Sequence, residues 1–131
     1  MSTPLHPSLL DQLPLADQER LLPHLHLVTL AHDQVLYQAG HVVPSVYFPV
    51  TAWIEEVLPM SDGAPHVVRR IGAQAMAGSC VLGDSVTSHT ARVCAQGKAY
   101  RLSYGDFVKA LETVSSFREL VLQDAAHALR L

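Results

Sequence analysis

A chain of 131 residues, 49% apolar and 16% charged, is long enough to bury one core and too apolar to be disordered. Nine basic against twelve acidic side chains give a net charge of −3, which disfavours a phosphate-binding face, and Arg69-Arg70 is the one adjacent basic pair. No apolar run approaches the roughly 20 residues that cross a bilayer, the N-terminus lacks the pattern of a secretory signal, and Cys80 and Cys94 form no Cys-x-x-Cys pair, so a cytoplasmic protein with no membrane partner is expected.

In chain order, residues 1–23 read as a helical arm. Pro4 and Pro7 oppose regular structure at its start, and Ser8-Leu9-Leu10-Asp11 opens a short helix that Pro14 ends. Ala16 to Leu22 reads as a second helix with Asp17 in its first turn, docked through Leu15, Leu21 and Leu22 and stopped by Pro23. Residues 24–103 read as short strands. His24 to Ala31 alternates as a half-buried strand. Val35 to Tyr37 is followed by the turn Ala39-Gly40, and Val46-Tyr47-Phe48 is kept short, or on an edge, by Pro49. Ala52–Met60 and Pro65–Ile71 flank the hairpin signal Ser61-Asp62-Gly63, and the neighbours Arg69 and Arg70 point to opposite faces of their strand. Gly72 to Ser88 is rich in Gly, Ala and Ser, and predicts a loop with a short helix near Ser79–Leu82. Thr90–Ala95 and Lys98–Leu102 are expected to pair as a last hairpin across Gln96-Gly97.

Residues 104–131 read as helices. Ser103-Tyr104-Gly105-Asp106 has capping-box spacing before a helix at Asp106–Leu111. Ser116-Phe117-Arg118-Glu119 is a closer match to the box and opens a longer helix to Leu131. On it Phe117, Leu120, Val121, Ala125, Ala128 and Leu129 share a face, an apolar stripe for the chain's own strands or for a second subunit. Many short strands with frequent turns predict a mainly β roll or sandwich with flanking helices.

Val35-Leu36-Tyr37-Gln38-Ala39-Gly40 followed by Val46-Tyr47-Phe48-Pro49 resembles the first half of a cyclic-nucleotide-binding domain. The sensory domains of cAMP receptor protein/Fnr-type bacterial regulators are the nearest likeness. It continues through Asp62-Gly63, Ile71-Gly72, Met76-Ala77-Gly78 and Leu102-Ser103-Tyr104, from about Leu21 to the end. The resemblance implies a double-stranded β-helix of jelly-roll type, a regulatory rather than enzymatic role, and a homodimer formed through the C-terminal helix. It implies an effector, cAMP or cGMP in the family, held by a phosphate-binding cassette within Gly72–Ser88. DNA would be read by a helix-turn-helix domain beyond the C-terminal helix, and none is expected within this chain.

In the family the cassette has a Gly-Glu pair on a short helix and, after a loop, an arginine beside a small residue. The helix N-terminus and the arginine hold the phosphate, and the carboxylate accepts a bond from the ribose. Here Gly78 matches the glycine, Ser79 stands in place of the glutamate, and Thr87 or Ser88 stands in place of the arginine. The expected ligand positions are therefore Gly78, Ser79, Cys80, Thr87, Ser88 and, on the next strand, Arg92. Without the charged pair, an effector other than a cyclic nucleotide, or none, is expected.

Two other readings stand beside it. One is a structural oligomerisation or protein-interaction module with a degenerate pocket. The other is a cupin-like metal protein using His24, His26 and His66 with Glu55 or Glu56. Cys80 at a helix start reads as a buried small residue or a redox-sensing thiol. The Gly-x-Ser-x-Gly elbow and the glycine-rich nucleotide loops are absent from the sequence.

Overall fold

The structure, a computed structural model, describes residues 7–79 and 86–128. Among these residues, seven strands form two antiparallel sheets. β1 (His26–Leu30), β3 (Ser45–Pro49) and β7 (Gly97–Ser103) make the first, in the order β1-β7-β3. β2 (Val35–Tyr37), β4 (Trp53–Leu58), β5 (His66–Ile71) and β6 (Thr90–Ala95) make the second, in the order β2-β6-β4-β5. Before them lie a 3₁₀ turn at Leu9–Gln12, helix α1 (Leu15–Leu21) and a second 3₁₀ turn at Leu22–His24. After them come α2 (Tyr104–Thr113) and α3 (Ser115–Ala128). Two antiparallel sheets with short helices before and after them are the expected jelly-roll arrangement.

The alternation of side chains along β3 and β7 divides the interior in two. Tyr47 and Ala99 face the space between the sheets, where they join Leu30, Leu36, Tyr37, Ile54, Ile71, Ala91 and Val93. Val46, Phe48, Tyr100 and Leu102 face the other way, into a cluster with Leu9, Leu10, Leu21, Phe107, Phe117 and Val121. Strand β3 is thus buried on both faces, which accounts for the unbroken run Val46-Tyr47-Phe48. β3 is an edge strand and ends at Pro49, where a missing donor is tolerated. Phe48, Phe107 and Phe117 meet edge to face or tilted, with centroids 6.1 and 5.9 Å apart, and so hold α2 and α3 on the sheet.

The turns expected at Gly40 and Gly63 both carry positive φ, 82° and 107°. The hydroxyl of Ser103 accepts a bond from the Asp106 amide, as the capping spacing predicts. Three expectations need correction. Thr90–Ala95 and Lys98–Leu102 are not a hairpin: β6 pairs with β2 and β4, β7 with β1 and β3, and the chain crosses between sheets at Gln96. Gly97 permits the crossing, because a Cβ there would lie 2.5 Å from the Ala52 amide nitrogen. Ser116 does not cap α3. It lies inside the first turn and donates its hydroxyl to Asp17 of α1 at 2.6 Å, so a cross-helix bond takes the place of a local one. Leu15 does not dock; it is 61% exposed, while Leu9, Leu10, Leu13 and Leu21 are buried. The expected end of α3 at Leu131 and its stripe residue Leu129 lie outside the described residues. Among those described, no helix is long and apolar enough to cross a membrane.

Candidate functional site

The segment Gly72–Ser79 is pinned to the edge of the first sheet. Ala77 and Tyr47 exchange backbone hydrogen bonds of 2.8 and 3.0 Å. Gly78 follows with φ 109°, and a Cβ on it would lie 2.7 Å from Cγ1 of Val46. Conformation and crowding both demand glycine there. The turn carries Ser79 inward, to 1% exposure.

Ser79 ends in a buried polar cluster. Its hydroxyl donates to Oδ2 of Asp124 on α3 at 2.8 Å. Oδ1 of the same carboxylate accepts from the Arg69 guanidinium at 2.8 Å. Arg69 lies on β5, opposite Glu56 of β4, and its Nη1 is 3.6 Å from Oε1 of Glu56. The Tyr37 hydroxyl donates to Oε2 of Glu56 at 2.8 Å, and the Met76 carbonyl accepts from Arg69 at 3.4 Å. Side chains from β2, β4, β5, the 72–79 segment and α3 therefore share one network. One cation faces two carboxylates, so these three groups sum to −1.

The neighbouring side chains Glu55 and Arg70 take the other face, as their strand positions require. Glu55 sits 3.9 Å from Arg70 and 3.6 Å from Arg92. Burial and then the adjacent Glu55 carboxylate push the Cys94 thiol above its usual pKa, which keeps it protonated and poorly nucleophilic at neutral pH.

The structure does not gather all the expected ligand residues. Gly78 and Ser79 lie together at the cluster. Thr87 is buried, but its described bonds run to Gly40, His41 and His89; Ser88 is exposed. Arg92 alternates with the core residues Ala91 and Val93 and so points away from the interior, toward Glu55. Cys80 and the helix expected to Leu82 lie outside the described residues. Of the proposed dimer stripe, Phe117, Leu120 and Val121 are buried in the chain's own core, Ala125 is partly buried, and nothing is described of the Ala128 side chain. The histidines expected at a metal do not meet: His26 is on β1 of one sheet, His66 on β5 of the other, and His24 faces Asp106 at 3.8 Å. Among the described residues no three His, Cys, Asp or Glu side chains converge as a metal site would require.

The ligand positions expected from the sequence do not include Tyr37, Glu56, Arg69 or Asp124, and Glu56 enters there only as a carboxylate of the metal alternative. Two signals point to Glu56, Arg69 and Asp124; none points to Tyr37. Adjacent Glu55-Glu56 and Arg69-Arg70 flank one hairpin, so one member of each pair must face inward. Asp124 falls four residues after Leu120 and three after Val121, on the buried stripe of α3.

The cyclic nucleotide-binding domain family model matches residues 27–114. No curated protein sequence matches the chain. Among solved structures, the N-terminal domain of a transcriptional regulator from Streptomyces coelicolor is similar at 20% identity and TM-score 0.69, covering 93% of this chain and 88% of that one. The sensor domain of the transcriptional regulator DNR from Pseudomonas aeruginosa is similar at 14% identity and TM-score 0.71, covering 92% and 82%. The catabolite activator protein of Thermus thermophilus is similar at 13% identity and TM-score 0.77, covering 93% of this chain; the chain spans 58% of that protein's length.

Proposed function

The chain belongs to the cyclic nucleotide-binding domain family, and from that premise we propose that it is the effector-sensing part of a cAMP receptor protein/Fnr-type transcription regulator, with a cassette that does not take cyclic nucleotides in the family's usual manner. DNA binding would reside in a further domain. The bond from Ser79 to Asp124 carries this reading. It joins the cassette position to the C-terminal helix, the element whose placement such a sensor would control. It also adds a carboxylate beside the cassette position, next to Ser79.

Calorimetry with cAMP and with cGMP is expected to show no binding tighter than about 1 mM, an interaction of about 4 kcal/mol. Micromolar affinity for either would overturn the reading. A structural oligomerisation module is the second reading. It draws on the same network, in which Ser79, Arg69 and Asp124 satisfy one another within the chain.

A further inference from the structure

The donors at the cluster are those an anion site uses. A buried guanidinium and a buried hydroxyl each hold one oxygen of a single carboxylate, both at 2.8 Å. That carboxylate is not part of the roll; it arrives on α3. We infer that Asp124 occupies an anion site as an internal stand-in for a carboxylate-bearing effector, and that such an effector frees the end of α3 by taking its place. The inference deepens the sensor reading and rests on it, since it names the ligand class and the regulation of the same site.

Charge decides the ligand class. Adding an anion beside Asp124 would deepen the excess of −1 among Arg69, Glu56 and Asp124. Exchanging one carboxylate for another leaves that balance unchanged. It also preserves the planar, two-oxygen geometry that Arg69 and Ser79 already satisfy, which a bulky tetrahedral phosphodiester does not reproduce. Room for the remainder of the ligand lies alongside. A groove of about 950 Å³ reaches Arg69 and Asp124, with Trp53, Gln74, Gln123 and His127 on its walls. Contacts there are required, because a tethered carboxylate competes at an effective concentration that a small free acid does not match. Simple acetate is therefore too weak to displace Asp124, yet it fills the place that Asp124 leaves when truncated.

Asp124→Ala with acetate as the probe tests this. Against sodium chloride at equal ionic strength, about 0.1 M acetate is expected to raise the Tm of D124A by roughly 3–6 °C and to leave the wild type unmoved. Adding Ser79→Ala to D124A should abolish the response. Hydrogen exchange of the α3 amides should quicken in D124A and slow again with acetate. If D124A does not fold, Asp124→Asn decides: it keeps the shape and loses the charge, and its α3 amides should exchange roughly tenfold faster than wild type. D124A without an acetate response, or D124N with wild-type α3 exchange, would overturn the inference and leave the calorimetric expectation standing. Micromolar cAMP binding by the wild type would remove the sensor's ligand assignment without altering the acetate result.

Discussion

Arg69 is the cation between two buried carboxylates. It is 6% exposed and stands between Glu56 and Asp124, 5% and 4% exposed. Taking such ions from water costs several kcal/mol each, and mutual pairing only offsets that cost. Arg69→Met would leave two carboxylates buried with no cation between them. Urea unfolding should show a loss of about 3–5 kcal/mol. Replacing all three charges together, as R69M/E56L/D124L, should recover most of that loss. Arg70→Met provides the contrast: its side chain is 69% exposed, 3.9 Å from Glu55, and should cost no more than about 1 kcal/mol. A triple variant as unstable as R69M would show that shape, not charge, governs the site. Part of this was legible in the sequence, since adjacent like charges in a strand must divide between two faces. Which member faces inward was not. The register shifts between Glu56 and Val57, and a shift of one residue exchanges the faces.

At the scale of elements, α3 is the helix whose meaning differs most between sequence and structure. Helical spacing identifies the stripe Phe117, Leu120 and Val121; it does not say what covers it. The structure covers it with Val46, Phe48, Tyr100 and Leu102 of the first sheet. A homodimer through α3 would therefore rest on its outer side, where Leu122 is 51% exposed. Val121→Glu places a charge in the core and should cost several kcal/mol, lowering Tm whatever the oligomeric state. Leu122→Glu should change monomer stability by no more than about 0.5 kcal/mol while converting dimer to monomer in light scattering. A dimer unaffected by L122E would place the interface elsewhere. The missed sheet crossing at Gln96-Gly97 has a similar origin. The local pattern of strand, Gln-Gly, strand is the same for a hairpin and a corner; the approach of Thr51-Ala52 to Gly97 is a tertiary fact.

Across the whole molecule the helices and the roll share a core instead of owning one each. The helix-side cluster takes Val46, Phe48, Met76, Tyr100 and Leu102 from the strand region and Leu9, Leu21, Phe107, Phe117 and Val121 from the helical segments. Tyr104, at the start of α2, packs against both this cluster and the one between the sheets. The bonds from Asp124 to Arg69 and Ser79, and from Ser116 to Asp17, add polar ties between α3 and elements distant in sequence. Removing the helices would expose Val46, Phe48, Tyr100 and Leu102 of the first sheet, so the roll alone would lose much of what makes it stable. One cooperative transition is therefore expected. Trp53, the single tryptophan, lies on β4 with its ring against Gly72 and reports the roll, while the far-ultraviolet dichroism reports chiefly the helices. Urea midpoints from the two signals should coincide. A helical signal lost at lower urea than the Trp53 signal would mean that α3 and the arm detach as a separate unit, and that the shared cluster couples them less tightly than its burial implies.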